Sequence, residues 1–154
     1  MTGGKIDSNY CETESCVGGG LYIAGNNREI TISGGEITNN KIYGSGAGIF
    51  VSGAVTINGT ARIAENEALG RYSNSQVYGG GVYIGGTLEL GGDAIIENNV
   101  SNFRGGGVYC SGSVEIRDEA VVQNNTALYN SGGGLYIGLT GNSCLLYTSD
   151  AADE

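Results

Sequence analysis

The sequence predicts an all-β solenoid, a right-handed single-stranded parallel β-helix of about five coils, on three observations. A glycine-rich motif recurs at residues 18–23, 46–51, 79–84, 105–110 and 132–137, each copy reading Gly-small-Gly, aliphatic, aromatic, apolar. The apolar runs between copies are short, alternate with polar residues and end in Gly or Asn, as half-buried strands between tight turns do. Finally, 30 Gly with no Pro and no three-residue period exclude collagen, and runs this short and Gly-punctuated disfavour a helical solenoid.

The motif supplies the first strand of each coil. Alternation sends Leu21, Ile49, Val82, Val108 and Leu135 inward, with Ile23, Val51, Ile84, Cys110 and Ile137 beside them, and sends Tyr22, Phe50, Tyr83, Tyr109 and Tyr136 outward. The Gly triplet suits a corner where positive φ or close approach of the next coil leaves no room for a Cβ. A second run follows in the first four copies, with Ile30 and Ile32, Val55 and Ile57, Leu88 and Leu90, and Val114 and Ile116 flanking Thr31, Thr56, Glu89 and Glu115. A third reads small-x-aliphatic-x-x-Asn at residues 35–40, 61–66, 94–99 and 120–125, giving three short strands per coil. Gly4, Ile6 and Asn9 fit this third run, so the chain is expected to open in mid-coil and the solenoid to be truncated at both ends.

From the first Gly of a motif to the Asn closing its third run is 20 residues for Gly46, Gly79 and Gly105, and 22 for Gly18, which predicts a two-residue insertion near Asn26 and Asn27. All other length variation falls at one corner, in segments 10–17, 41–45, 67–78, 100–104 and 126–131. Coils repeating every 26 to 33 residues cannot bury an apolar face singly. Stacked about 4.8 Å apart, they form parallel sheets around one core.

A formal charge of −9 with only seven Lys plus Arg would repel phosphate backbones, so nucleic acid is not an expected partner. No stretch approaches the roughly 18 apolar residues of a membrane helix, and no signal-peptide pattern stands at the N-terminus, so no transmembrane segment is expected in this fragment. The acidic, Lys-poor surface rich in Asn, Thr, Ser and Gly suits an extracellular location.

The pairing of Gly80-Gly81-Val82-Tyr83 with Ile96-Glu97-Asn98-Asn99, repeated over residues 1–143, resembles the repeats of polymorphic-membrane-protein and autotransporter-type passenger domains. This chain carries Ile or Val where Phe often precedes x-x-Asn. The resemblance implies a segment of a bacterial secreted or cell-surface adhesin-like protein, with no cofactor. Its expected partners are host or environmental glycans, surface proteins and the neighbouring coils of a longer chain.

After Gly141 the pattern stops. Residues 144–154, CLLYTSDAADE, resemble the translation of a transposase-based sequencing adapter read in one frame. The expected division is therefore a solenoid at 1–143 and a non-native tail at 144–154 that makes few contacts with it. Without the tail's Asp150, Asp153 and Glu154, the formal charge becomes −6.

Asn9, Asn40, Asn66, Asn99 and Asn125 should stack as a ladder, each amide bonding the next coil's amide or free backbone groups, and Asn's tolerance of left-handed backbone suits it to that corner. The aromatic column offers either a surface on which sugar rings stack or plain cross-strand packing. Segment 67–78, with Arg71, Tyr72, Asn74, Gln76 and Tyr78, reads as a binding loop or as a solvated spacer. Cys11 and Cys16 can close a small loop in an oxidising exterior, while Cys110 points inward as a small apolar residue.

Catalytic and metal-binding residues are not assigned. The absence of His excludes a Ser-His-Asp arrangement, and the Gly-rich segments lack the Lys-Ser/Thr of a phosphate loop. Glu29, Glu89 and Glu115 are expected in one outward column, interrupted by Thr56 and without a basic neighbour, which reads as a solvated acidic stripe. The alternative to a display scaffold is a piece of a β-helical polysaccharide lyase or hydrolase whose catalytic coils lie elsewhere.

Overall fold

The structure, a computed structural model, describes residues 1–25, 29–138 and 145–148, residue 29 and the last four by backbone alone. Among the described residues every strand pairing is parallel and no helix occurs, so the molecule is a β-solenoid of about five turns. The expected insertion near Asn26 and Asn27 lies outside the described residues.

Four five-stranded sheets run along it. The first holds Leu21–Ile23, Ile49–Val51, Val82–Ile84, Val108–Cys110 and Leu135–Ile137. The second holds Glu29–Ile32, Ala54–Ile57, Leu88–Leu90, Val114–Arg117 and Leu145–Thr148. Thr2–Asp7, Gly34–Thr38, Arg62–Ala64, Ile95–Glu97 and Val121–Gln123 form the third. These are the three runs read from the sequence. A fourth sheet of two-residue strands joins them: Tyr10–Cys11, Lys41–Ile42, Glu67–Ala68, Val100–Ser101 and Thr126–Ala127. Each follows a ladder Asn and turns its second residue inward, fully burying Ile42, Ala68 and Ser101.

Registers on the first sheet match the expected ladders, with Val82 opposite Ile49 and Val108, and Tyr83 opposite Phe50 and Tyr109. Ile49, Val51, Val82, Ile84, Val108 and Cys110 are fully buried. With Ile57, Ile63, Leu88, Leu90 and Ile96 they make one continuous core, where each large aliphatic side chain contributes about 1.5 to 3 kcal/mol. Ile42, Ala47, Ala68 and Val77 make a smaller core behind the variable corner.

The Gly triplets do two different jobs. The first Gly of each is left-handed, with φ between +64° and +74°. The third lies where coils touch: a Cβ on Gly81 would stand 2.7 Å from the Gly107 carbonyl oxygen and 2.9 Å from Asn99 Nδ2. The left-handed residue at the Asn corner is the one before the ladder Asn, namely Ser8, Asn39, Glu65, Asn98 or Asn124. Conformational tolerance is thus not what selects the ladder position.

Two expectations are corrected. Leu145–Thr148 pairs in parallel with Val114–Arg117, so part of the tail continues the second sheet. A short run such as Leu-Leu-Tyr-Thr can add to an open sheet edge whatever its origin, because main-chain groups supply the bonds. On the same sheet, Glu29 pairs with Ala54, and the outward column reads Thr31, Thr56, Glu89, Glu115.

Candidate functional site

The five outward rings form one unbroken stack. Centroids lie 5.6 Å apart for Tyr22 and Phe50, 4.4 Å for Phe50 and Tyr83, 4.9 Å for Tyr83 and Tyr109, and 5.4 Å for Tyr109 and Tyr136. The last three pairs are nearly coplanar, at 4°, 16° and 9°. Parallel strands in register, one ring per coil, leave the side chains to stack along the axis. The faces of Tyr83 and Tyr109 are therefore covered by their neighbours, and the column meets solvent with ring edges and phenolic hydroxyls. Burial pushes both phenols above the ordinary tyrosine range. Of the two sequence readings, cross-strand packing describes these interior rings.

The variable corner meets the column at Tyr109 and Tyr136. The Tyr78 ring lies 4.8 Å from Tyr109 and 5.8 Å from Phe103, edge-on to the latter. The Arg104 guanidinium sits 4.9 Å from the Tyr136 ring centroid and 5.0 Å from that of Phe103. Phe103 and Arg104 were not singled out in the sequence, because segment 100–104 lies outside the repeat and no register assigns its residues a direction. The Phe-Arg dipeptide immediately before a Gly triplet was the available signal.

Segment 67–78 is a structured loop. Buried Asn102 donates from Nδ2 to the carbonyls of Tyr72 (3.2 Å), Ser73 (3.4 Å) and Ser75 (2.9 Å), and the Ser75 hydroxyl accepts from the Tyr72 N–H. Ser75 also donates to Glu14 at 3.1 Å, tying this loop to the one closed by Cys11 and Cys16. Those cysteines form a disulfide with Cα atoms 6.2 Å apart. Arg71, Tyr72 and Asn74 are exposed. Tyr10 and Tyr43 meet edge-to-face nearby, 6.3 Å apart, and their mutual hydrogen bond raises the Tyr10 pKa.

The Asn ladder is fully committed to structure. Asn66 Oδ1 accepts the Asn40 N–H (3.0 Å) and Nδ2 (2.9 Å), while Asn66 Nδ2 donates to Asn99 Oδ1 and to the Ile37 carbonyl, both at 2.9 Å. Asn99 repeats the pattern with Asn125 and Ile63, and Asn9 donates to Asn40 at the first rung. Asn40, Asn66 and Asn99 are fully buried.

Charged groups also bridge coils. Lys41 pairs with Glu67 at 2.8 Å and Arg62 with Glu97 at 3.0 Å. Arg117 lies 3.6 Å from Glu89 and 3.8 Å from Glu115, so the acidic column does have a basic neighbour, from the same strand as Glu115. Beside it an open cavity of about 320 Å³ is lined by Ile30, Ala54, Val55, Thr56, Thr87 and Glu89. Among the described residues Arg71 and Arg104 have no carboxylate at ion-pair distance, and no cluster of three His, Cys, Asp or Glu stands ready for a metal.

The class the fold defines is a β-solenoid of stacked four-strand coils. No family model, curated protein or solved structure matches the chain.

Proposed function

We propose that this chain is a non-catalytic segment of a bacterial secreted or cell-surface adhesin-like β-helix, which binds glycans or surface proteins through its variable corner and aromatic face. The observation that carries the reading is the contact of Tyr78 with Tyr109 and of Arg104 with Tyr136, which brings part of the variable corner against the ring column. Rigid phenols presenting edges and hydroxyls give contact area at small entropic cost, as in other adaptable binding surfaces. Unpaired Arg71 and Arg104 add charge that no carboxylate of the described chain neutralises. Contacts repeated coil after coil sum along a rigid rod, so weak individual sites suffice. The core ladders and the Asn stack cannot serve, since their groups already hold the coils together.

A panel of polysaccharides and surface glycoproteins tests this, with Tyr83→Ala/Tyr109→Ala and a trimmed 67–78 loop as variants and circular dichroism as the fold control. Loss of binding with an unchanged strand signal supports the reading. Binding indifferent to both changes refutes it. We further take residues 144–154 as adapter-derived; an uninterrupted gene encoding CLLYTSDAADE after this repeat array would remove that assignment.

A further inference from the structure

We propose that the glycans bound at the variable corner are acidic polysaccharides, bearing carboxylate or sulfate groups, and that Arg71 and Arg104 anchor those groups; the proposal rests on the glycan-binding reading of this corner and names its ligand class. Charge bookkeeping singles out the two residues. With 16 Asp plus Glu against seven Lys plus Arg, carboxylates are in excess. Lys5, Lys41, Arg62 and Arg117 each hold one at ion-pair distance. Arg28 lies outside the described residues. Of the described Lys and Arg, Arg71 and Arg104 are the two that hold none, and both stand in the variable corner, in segments 67–78 and 100–104. Glu14 reaches the same corner but accepts a hydrogen bond from the Ser75 hydroxyl, beyond ion-pair distance of Arg71.

Each of these cations comes with an aromatic neighbour. Arg71 precedes Tyr72, which is 63% exposed. Arg104 follows Phe103, and its guanidinium lies 5.0 Å from the centroid of that ring and 4.9 Å from that of Tyr136. The Arg104 Nε donates to Asn130 Oδ1 at 3.4 Å, and no described residue accepts from its two terminal amino groups. A ring beside a fork of N–H donors matches a sugar that carries an acid: the ring packs on the apolar face of the sugar, and the guanidinium takes two oxygens of the carboxylate or sulfate. The pair recurs at the corners of two successive coils, as a polymer with repeated acid groups can use.

The two corners are also fastened to each other. Asn102, two residues ahead of Arg104, donates from Nδ2 to the carbonyls of Tyr72, Ser73 and Ser75, beside Arg71. Binding therefore has less backbone to order. The chain's formal charge of −9 does not forbid an anionic ligand, because exposed charges farther apart than about 8 Å are screened at physiological ionic strength.

The experiment titrates the whole chain with polygalacturonate and its methyl ester, with dextran sulfate and dextran, and with polyglutamate. Each anionic polysaccharide thus has a neutral partner on the same backbone, and the two pairs separate carboxylate from sulfate. Wild type should bind at least one anionic polysaccharide about tenfold or more tightly than its neutral partner and than polyglutamate, and more weakly as salt rises. Arg71→Gln and Arg104→Gln should each lower that affinity about tenfold and flatten its salt dependence, with an unchanged strand signal. Lys5→Gln, which removes the same charge from a paired residue on the third sheet, should leave it unchanged. Arg71 is exposed, so Arg71→Gln carries the test if Arg104→Gln fails to fold. Equal binding of the neutral partners would overturn the acidic-ligand proposal while leaving the glycan reading intact. Equal binding of polyglutamate, an affinity that neither Arg change lowers, or no binding to either anionic polysaccharide would overturn it too; the glycan reading itself falls only if the wider panel of polysaccharides and glycoproteins is also silent.

Discussion

Replacing Asn66 by Ala removes the central rung of the ladder, bonded on both sides. Two buried backbone groups lose partners: the Asn40 N–H, which donates to Asn66 Oδ1, and the Ile37 carbonyl, which accepts from Asn66 Nδ2. Stranding a buried polar group costs about 1 to 3 kcal/mol, so the two together predict a loss of about 2 to 6 kcal/mol. Asn9→Ala is the internal control, since Asn9 is exposed and holds no buried backbone group, and should cost under about 1 kcal/mol. Urea unfolding followed by far-ultraviolet circular dichroism gives both values by linear extrapolation. Equal costs at the two rungs, or a loss under about 1 kcal/mol for Asn66→Ala, would refute the claim that the ladder holds the coils together.

Gly81→Ala should cost about 1 to 3 kcal/mol by overpacking, because the added methyl meets the Gly107 carbonyl and the Asn99 amide, and a lower urea midpoint checks it. Hydrogen bonds from Asn39 and Thr38 hold the Asp7 carboxyl well below its ordinary value of 3.8. The stability this gives is present above that value and lost as pH falls below it, so Asp7→Asn should flatten the acid limb of a stability-versus-pH curve. Glu97, held low by Gln123 and then by Arg62, should act in the same direction from its ordinary value of 4.5 downward. Burial pushes the Cys110 thiol up, so peptide mapping should find Cys110 unalkylated in native protein and modified once unfolded, with Cys11 and Cys16 blocked until reduced.

The solenoid was legible because its information is periodic. One aromatic between two inward apolar residues, five times over, fixes both the first sheet and its register. A constant distance from the Gly motif to the closing Asn fixes the ladder. What escaped lacks a period. Two-residue strands such as Glu67–Ala68 are too short to alternate, so the fourth sheet was invisible although it buries Ile42 and Ala68. Glu29 falls outside the column because alternation gives it the same outward face as Thr31 without saying which of the two pairs with Thr56, and the register selects Thr31. The positions of Phe103 and Arg104 depend on how an irregular corner folds back, which no repeat encodes. Alternation also says that Tyr83 points outward without saying whether its ring lies flat or stacks on edge. That orientation follows from the coil spacing and the rings on either side.

The most direct test of the functional account is to titrate the wild-type chain, the Tyr83→Ala/Tyr109→Ala variant and the loop-trimmed variant against the polysaccharides and glycoproteins that the panel identifies, measuring sugar release in parallel. The account predicts saturable binding by the wild type, its loss in both variants with strand content unchanged, and no release of sugar. Undiminished binding by both variants would contradict it, as would polysaccharide cleavage abolished by Glu89→Gln beside the cavity on the second sheet.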